Sequence, residues 1–285
     1  MPESPEIEVV RRTLAPVLLG RSLRVASIGT HDMRARGEGR GHARVRGWIT
    51  ARELLDGARV ERLERRGKRL AILARDGRAL VVQLGMSGQL LMDDAAEGTH
   101  RHVTWSVGRG LPPLVFRDPR RFGGLTPYRS HAALHAAWDA ELGPDGLALG
   151  PRSLQGRLTG TRAVKMALLD QRVVAGVGNI YADESLHAAG IDPRTRCKDL
   201  GPERLERLSN AIREILNRAA DHGGSTLRDH RSGTGAAGQA QLLHAVYGRA
   251  EAPCLACRTP LRGTRLGGRA TVWCPRCQGR VPRRK

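Results

Sequence analysis

The chain has 285 residues, 40% of them hydrophobic and 3% aromatic, and its 48 Lys and Arg against 28 Asp and Glu give a formal net charge of +20. That length favours two domains, and the charge favours a polyanionic partner such as nucleic acid. The scarcity of aromatics argues against a surface that binds single strands by stacking many bases. No apolar run approaches the ~20 residues of a membrane span, and the acidic start (Glu3, Glu6, Glu8) lacks the order of a signal peptide.

In chain order, residues 5–19 read as a helix, with Pro5 in its first turn and Ile7, Val10, Leu14, Val17 and Leu18 near helical spacing. Pro16 is expected to kink or shorten it. From about 22 to 128 the pattern changes to short β-type runs, SLRVASI, ARVERLE, RLAILAR, ALVVQLG, HVTWSV and LVFRD, separated by Gly and Pro; this predicts a sandwich or barrel. Residues 29–47, rich in Gly and Arg, read as a loop. Helical patterns return at 131–142, 162–171, 179–189 and 202–221, and the Gly- and Ser-rich stretch 223–241 is expected to be a flexible loop. The predicted division is a β-rich domain at 1–130, a helical domain at 131–241 and a small metal module at 246–280.

That module rests on Cys254, Cys257, Cys274 and Cys277, two CxxC pairs separated by 16 residues. Each pair supplies two thiolates from one tight turn, and the segment between can form a hairpin that lays one pair over the other. Four thiolates close a tetrahedron and leave no open position, so one structural Zn2+ is predicted. Arg265 and Arg269 lie on the predicted hairpin, and Cys197 stands apart. An intracellular, reducing location is expected from a start without signal-peptide order, and in that setting paired cysteines read as metal ligands.

The start of the chain carries a second pattern. Removal of Met1 would expose Pro2 as a free secondary amine with the Glu3 carboxylate beside it. An α-amino group with a pKa near ~7.7–8.0 is partly unprotonated at neutral pH and can act as a nucleophile.

Several motifs together resemble the formamidopyrimidine-DNA glycosylase and endonuclease VIII family of base-excision repair enzymes. They are Pro2-Glu3-x-Pro5-Glu6, RRGKRL with Lys68, LGMSGQL at 84–90, DPRRFGG at 118–124, VVAGVGNIYADESL at 173–186, VYGR at 246–249 and GRATVWCPRCQ at 268–278. LGMSG and DPRRFG are closer to the formamidopyrimidine branch. The resemblance implies an α+β multidomain fold: an N-terminal β-sandwich with a leading helix, a helix–two-turn–helix domain and a C-terminal four-cysteine zinc finger. It also implies a bifunctional glycosylase and AP lyase, a monomer of the bacterial cytoplasm, acting on oxidised bases in double-stranded DNA.

In that scheme Pro2 attacks the sugar C1′ and forms an iminium that is cationic without gaining a proton. This electron sink permits β- and δ-elimination. Glu3 serves as general acid/base, Glu6 orients the amine or caps the helix, and Lys68 contacts phosphate or sugar. Met86, Arg120 and Phe122 fill the gap left by the extruded base. Lys165, Asn179 and Arg269 contact the DNA backbone, with Asn179 also expected to cap its helix.

The chain departs from the family pattern at two places. Ser4 replaces the usual Leu or Gly, and segment 230–241, HRSGTGAAGQAQ, lacks the common aromatic. The second departure leaves the preferred lesion open among 8-oxoguanine, formamidopyrimidines and oxidised pyrimidines. It also leaves open an AP lyase or lesion binder with altered glycosylase activity, and a non-catalytic zinc DNA-binding protein.

Overall fold

The leading apolar stripe becomes helix α1 (Ser4–Leu18), which buries Ile7, Val10, Leu14 and Leu18. The helix runs through Pro16, which sits in its last turn, where a missing N–H interrupts only one hydrogen bond. This is a computed structural model, which describes residues 2–29, 34–35, 49–93, 99–226 and 230–279. The chain divides into two compact units, Met1–Ala140 with Ala220–Gln239 and Glu141–Ala219 with Ala240–Lys285.

The first unit holds two sheets. One has the order β1 (Arg24–Ile28), β7 (Arg101–Ser106), β8 (Leu114–Arg117), β6 (Gln89–Met92). The other runs β2 (Arg34–Ala35), β9 (Gly124–Tyr128), β5 (Ala79–Gln83), β4 (Arg69–Ala74), β3 (Val60–Arg66). Leu63, Ile72, Leu80 and Val82 of the second sheet share one core with Leu90, Trp105, Leu114 and Phe116 of the first and with the buried face of α1. Each such side chain contributes roughly 1.5–3 kcal/mol on burial. The predicted sandwich is therefore present.

β6 and β9 are strands that the sequence pattern does not mark. β6 is only four residues long, and β9 contains Pro127, which argues against a strand on pattern alone. Among the described residues, β2 pairs only with Gly124 and Leu125, so beyond them the outer flank of β9 carries no ladder and tolerates a proline. Most of the loop expected at 29–47 lies outside the described residues; within it, Arg34–Ala35 pairs in parallel with β9.

Helix α2 (His131–Glu141) follows as predicted. The second unit contains α3 (Val164–Leu168), α4 (Asn179–Ala188) and the longer α5 (Pro202–Asp221) around a core of Leu168, Val177, Tyr181, Leu186, Leu208 and Ile212. The helix expected over 162–171 shrinks to five residues. In the same unit, β10 (Arg262–Leu266) and β11 (Arg269–Trp273) form the predicted hairpin. No described helix is long and apolar enough to cross a membrane.

Segment 223–241 differs from expectation. Its described residues at 223–226 and 230–239 are tied to the first unit. Gly233 N–H donates to Thr13 Oγ1 at 2.8 Å, Met92 N–H donates to Gly233 O at 2.8 Å, and Ser225, His230 and Ser232 are buried. Its glycines allow close packing rather than slack: a Cβ on Gly238 would lie 2.1 Å from the Gly223 carbonyl oxygen, and one on Gly233 2.4 Å from Leu14 Cγ.

Candidate active site and DNA-binding surfaces

The Pro2 nitrogen leads directly into α1. Pro2, Glu3 and Glu6 are all buried, and Glu3 occupies the N-cap position in extended conformation. Glu6 closes the helix start. Its Oε2 accepts the Glu3 N–H at 2.7 Å and its Oε1 accepts the Ser225 N–H at 2.7 Å. Of its two expected roles, capping is thus observed. The carboxylate also clasps segment 223–226, where Gly224 (φ +74°) lets the chain pass against the Glu6 side chain. Ser4 is fully buried, and its Oγ has no hydrogen-bond partner among the described residues.

One turn further along α1, Glu8 receives Arg11 (2.7 Å), Arg12 (2.9 Å) and, from β3, Arg65 (3.1 Å). Burial opposes ionisation of Glu8, but hydrogen bonds from Arg11 and Arg12 and the charges of Arg11 and Arg65 outweigh it and bring the pKa down to about 2. Arg65 also donates to the Gly67 carbonyl at 3.0 Å. Gly67 and Lys68 form the two-residue turn between β3 and β4, with Gly67 at φ +57°. Lys68 is therefore carried on a hairpin tip fastened to α1 by the Arg65–Glu8 pair. Sequence reading did not single out Glu8, Arg65 or Ser225. The regular spacing of Glu8, Arg11 and Arg12 is a local signal, whereas Arg65 and Ser225 reach α1 only through the fold.

Met86, Arg120 and Phe122 come together on two adjoining loops. Met86 and Phe122 are large apolar side chains left exposed. Arg120 lies between them, its guanidinium 5.3 Å from the Phe122 ring centroid and one nitrogen 3.6 Å from Met86 Sδ. Buried Asp118 organises both loops, accepting from Ser87 Oγ at 2.6 Å and from Gly123 N–H at 2.7 Å. Gly85 at φ +61° permits the contact, because a Cβ there would sit 2.4 Å from the backbone of Phe122 and Gly123. An exposed Met–Arg–Phe group on a rigid base has the shape and chemistry of a wedge for a base stack.

In the second unit, Asn179 is the first residue of α4. The N-cap is Gly178, and Asn179 Nδ2 instead donates to Ala270 O on β11 at 3.1 Å, so the expected capping role is corrected. Lys165 has no exposed surface. Its ammonium donates to Ala270 O (2.7 Å) and Thr271 Oγ1 (2.8 Å) and pairs with Asp183 Oδ1 (2.8 Å). Desolvation raises the Asp183 pKa to about 6 against the opposing pull of Lys165. Lys165 was expected at the DNA backbone; here it anchors the hairpin from within. Arg269 is exposed at the start of β11, next to the Gly267–Gly268 turn.

The Sγ atoms of Cys254, Cys257, Cys274 and Cys277 all lie within 4.8 Å of one another, with Cys257–Cys274 at 3.4 Å and Cys254–Cys277 at 3.9 Å. A tetrahedral zinc with Zn–S bonds near 2.3 Å requires sulfur–sulfur edges of about 3.8 Å, so the four thiols fit the ion. They would hold one Zn2+ in a closed, structural site. The second pair is braced by Gln278, whose Oε1 accepts the Cys274 N–H at 2.8 Å and whose Nε2 donates to Ile191 O at 2.8 Å. Cys197 is buried in the helical core, and desolvation pushes its thiol pKa up.

Three family models match in chain order: the formamidopyrimidine-DNA glycosylase N-terminal domain over residues 1–125, the formamidopyrimidine-DNA glycosylase H2TH domain over 142–231, and the zinc finger found in FPG and IleRS over 252–279. The formamidopyrimidine-DNA glycosylase of Thermomicrobium roseum is 42% identical, covering 98% of this chain and 99% of its own length. That of Ectopseudomonas mendocina is also 42% identical, covering 98% and 100%. Among solved structures, the MutM (Fpg) protein of Thermus thermophilus is similar with a TM-score of 0.81 at 36% identity, covering 99% of this chain and all of that one. The Lactococcus lactis Fpg (MutM) in complex with N7-benzyl-Fapy-dG containing DNA gives 0.83 at 29% identity, covering 98% and 100%. The buried Pro2–Glu3 start, the Met–Arg–Phe group and the four-cysteine hairpin thus sit on a scaffold matched from end to end, and the chain belongs to the formamidopyrimidine-DNA glycosylase family of DNA-repair glycosylases.

Proposed function

We propose that the protein is a bifunctional glycosylase and AP lyase that excises oxidised bases, 8-oxoguanine and formamidopyrimidines first among them, from duplex DNA. The observation that carries this reading is the buried start of α1, where Pro2 and Glu3 are held by the Glu6 carboxylate through the Glu3 N–H at 2.7 Å. The Lactococcus lactis relatives bound to Fapy-dG DNA and to DNA with an abasic site support the substrate class.

The chemistry follows from the side chains. Once Met1 is removed, the Pro2 nitrogen bonds to C1′, the glycosidic bond breaks and the base departs with the electron pair. The nitrogen sheds its proton to the departing base, and Glu3 protonates O4′ as the sugar ring opens, which leaves an iminium on Pro2. The iminium acidifies C2′ and drives successive phosphate eliminations. Lys68 on its hairpin supplies a cation for phosphate or sugar. Met86, Arg120 and Phe122 occupy the gap left by the extruded nucleotide, Arg120 facing the orphaned partner base. Asn179 and Arg269 contact backbone phosphates, and Lys165 supports them from behind. The zinc supplies no reaction chemistry and keeps the hairpin that bears Arg269 in shape.

In this scheme residues 1–130 form the catalytic domain, 131–241 a DNA-binding domain and 246–280 the zinc finger. The protein works as a monomer in the bacterial cytoplasm, in keeping with its bacterial relatives. Borohydride trapping on duplexes bearing 8-oxoguanine, a formamidopyrimidine, an oxidised pyrimidine or an abasic site tests the proposal. The expected result is an adduct that maps to Pro2, with the oxidised purines ranked first. Trapping at the abasic site alone would leave only the lyase, and no adduct from protein lacking Met1 would leave a DNA binder without catalysis.

A further inference from the structure

We infer that His187, in the last turn of α4, is a positioning residue of the zinc site, donating a hydrogen bond from Nε2 to the Cys254 thiolate. The inference rests on the four-cysteine site and is independent of the Pro2 chemistry.

His187 Nε2 lies 3.6 Å from Cys254 Sγ. Sulfur is larger than oxygen, so a hydrogen bond to it is correspondingly longer. The ring is not a further ligand. Among the described residues the group able to hold the ion consists of the four sulfurs, with His187 outside it, and four thiolates already close the tetrahedron. A metal-bound thiolate has no hydrogen and can only accept, so Nε2 is the nitrogen that carries one.

The two CxxC pairs are not equivalent. In the second, the Cys277 N–H donates to Cys274 Sγ at 3.3 Å. In the first, among the described residues, the matching Cys257 N–H makes no such bond, and the polar neighbours of Cys254 Sγ are His187 Nε2 and, at 3.9 Å, Cys277 Sγ. Cys254 is 0% exposed, so water does not supply the missing donor. A zinc ion with four thiolates carries net negative charge, which is costly to bury without hydrogen-bond donors around it. His187 provides for Cys254 what the backbone provides for Cys274.

Helix α4 holds the ring in place for this task. Asp183 Oδ2, one turn earlier, accepts the Val272 N–H of β11 at 3.0 Å. Glu184 accepts the N–H groups of Ala245 (2.8 Å), Val246 (2.9 Å) and Tyr247 (2.7 Å), in the chain that leads to the first cysteine pair. Arg249 carries that restraint onward by donating to the Pro253 carbonyl at 3.2 Å, next to Cys254. Of the three α4 side chains that grip the module, His187 is the one that reaches a ligand atom. Its N–H steadies the thiolate lone pairs and keeps the sulfur at its vertex. Partners of this kind typically change metal affinity ~10–100-fold.

The test uses the full-length, zinc-loaded protein and measures transfer of zinc to a competing chelator. His187→Phe fills the place of the ring without a donor, and His187→Gln keeps an N–H near the Nε2 position. His187→Phe should lose zinc affinity roughly 10–100-fold, and His187→Gln should stay close to wild type. With Co2+ in place of zinc, the sulfur-to-cobalt charge-transfer band of His187→Phe should move to longer wavelength, because a thiolate without its hydrogen bond gives up an electron more readily. His187→Gln should keep the wild-type band. Wild-type zinc affinity and an unshifted band in His187→Phe would overturn the inference, as would a His187→Gln that loses zinc as readily as His187→Phe. If His187→Phe does not fold, His187→Gln decides alone: wild-type affinity and band support a donor, and loss of either overturns it. Wild-type protein unable to take up zinc would sink the four-cysteine site itself, an outcome distinct from all of these.

Discussion

Ser225 and Glu6, 219 residues apart in sequence, are joined by a 2.7 Å hydrogen bond from a backbone N–H to a carboxylate oxygen. The other oxygen of Glu6 holds the Glu3 N–H. One side chain thus ties the start of α1 to the segment that follows α5. Glu6→Ala would leave two buried N–H groups unsatisfied, at about 1–3 kcal/mol each. Thermal unfolding should register a loss of about 2–5 kcal/mol, and Glu6→Gln, which turns an N–H donor towards one of these two, should recover only part of it. A melting temperature unchanged in Glu6→Ala would contradict the clasp.

Glu8 gives a pH prediction. Its folded pKa of about 2 lies below the ordinary 4.5, so its contribution is complete above about 4.5 and disappears as pH falls through that value towards 2. For this nearly buried side chain the contribution is at most roughly 3 kcal/mol, reduced by the partial exposure of Arg11 and Arg12. Glu8→Gln should lower unfolding stability at pH 7 and flatten its decline between pH 5 and 3. Equal acid sensitivity in the variant would show that the Arg65–Glu8 link does not anchor the Lys68 hairpin.

Lys165 and Arg269 separate inner support from outer contact. Lys165→Ala strands the Asp183 carboxylate in the interior and should cost ~3–5 kcal/mol, whereas Lys165→Met with Asp183→Asn removes both charges and should restore most of it. The double variant should retain the salt dependence of duplex binding. Arg269→Ala should leave stability within about 0.5 kcal/mol of wild type and lower the salt slope by about 1. A reduced slope in the double variant would mean that the Lys165 ammonium reaches phosphate after all.

Met86, Arg120 and Phe122 are exposed enough that truncation should barely affect folding. Phe122→Ala should shift unfolding by less than about 0.5 kcal/mol and slow excision roughly 10–100-fold, because a base–aromatic contact contributes ~1–3 kcal/mol. Abasic-site trapping should suffer less than excision of an intact lesion, because an abasic nucleotide has less stacking to lose. Equal losses on the two substrates would argue against a wedge.

Cys274→Ser should lower bound zinc and duplex affinity together, measured by metal analysis and by fluorescence anisotropy. Three remaining thiolates no longer close the tetrahedron, and removal of the ion from the wild-type protein by a chelator should reproduce both effects. Undiminished zinc in Cys274→Ser would refute the ligand assignment.

What sequence made legible was what is local. The CxxC pairs fix the zinc hairpin because ligand spacing and turn geometry are short-range, and α1 announces itself through Ile7, Val10 and Leu14. The group of Met86, Arg120 and Phe122 came from motif resemblance; the contact between their loops depends on buried Asp118 meeting Ser87 from 31 residues away. Lys165 shows the converse limit. The family resemblance assigned it to the DNA backbone, and only the packing of Ala270, Thr271 and Asp183 around it reveals a buried anchor. The glycines of 223–241 suggested slack, but several are required for close backbone approach, which composition alone does not distinguish.

The clasp on Glu6 also has an order in time. During translation at ~5–20 residues per second, the 219 residues between Glu6 and Ser225 take on the order of 10–40 s to emerge. Through that interval the nascent α1 lacks the segment that later covers it, so its amino end stays open to the cell's processing enzymes. Chain order thereby places synthesis of the amino end well ahead of the clasp that covers it.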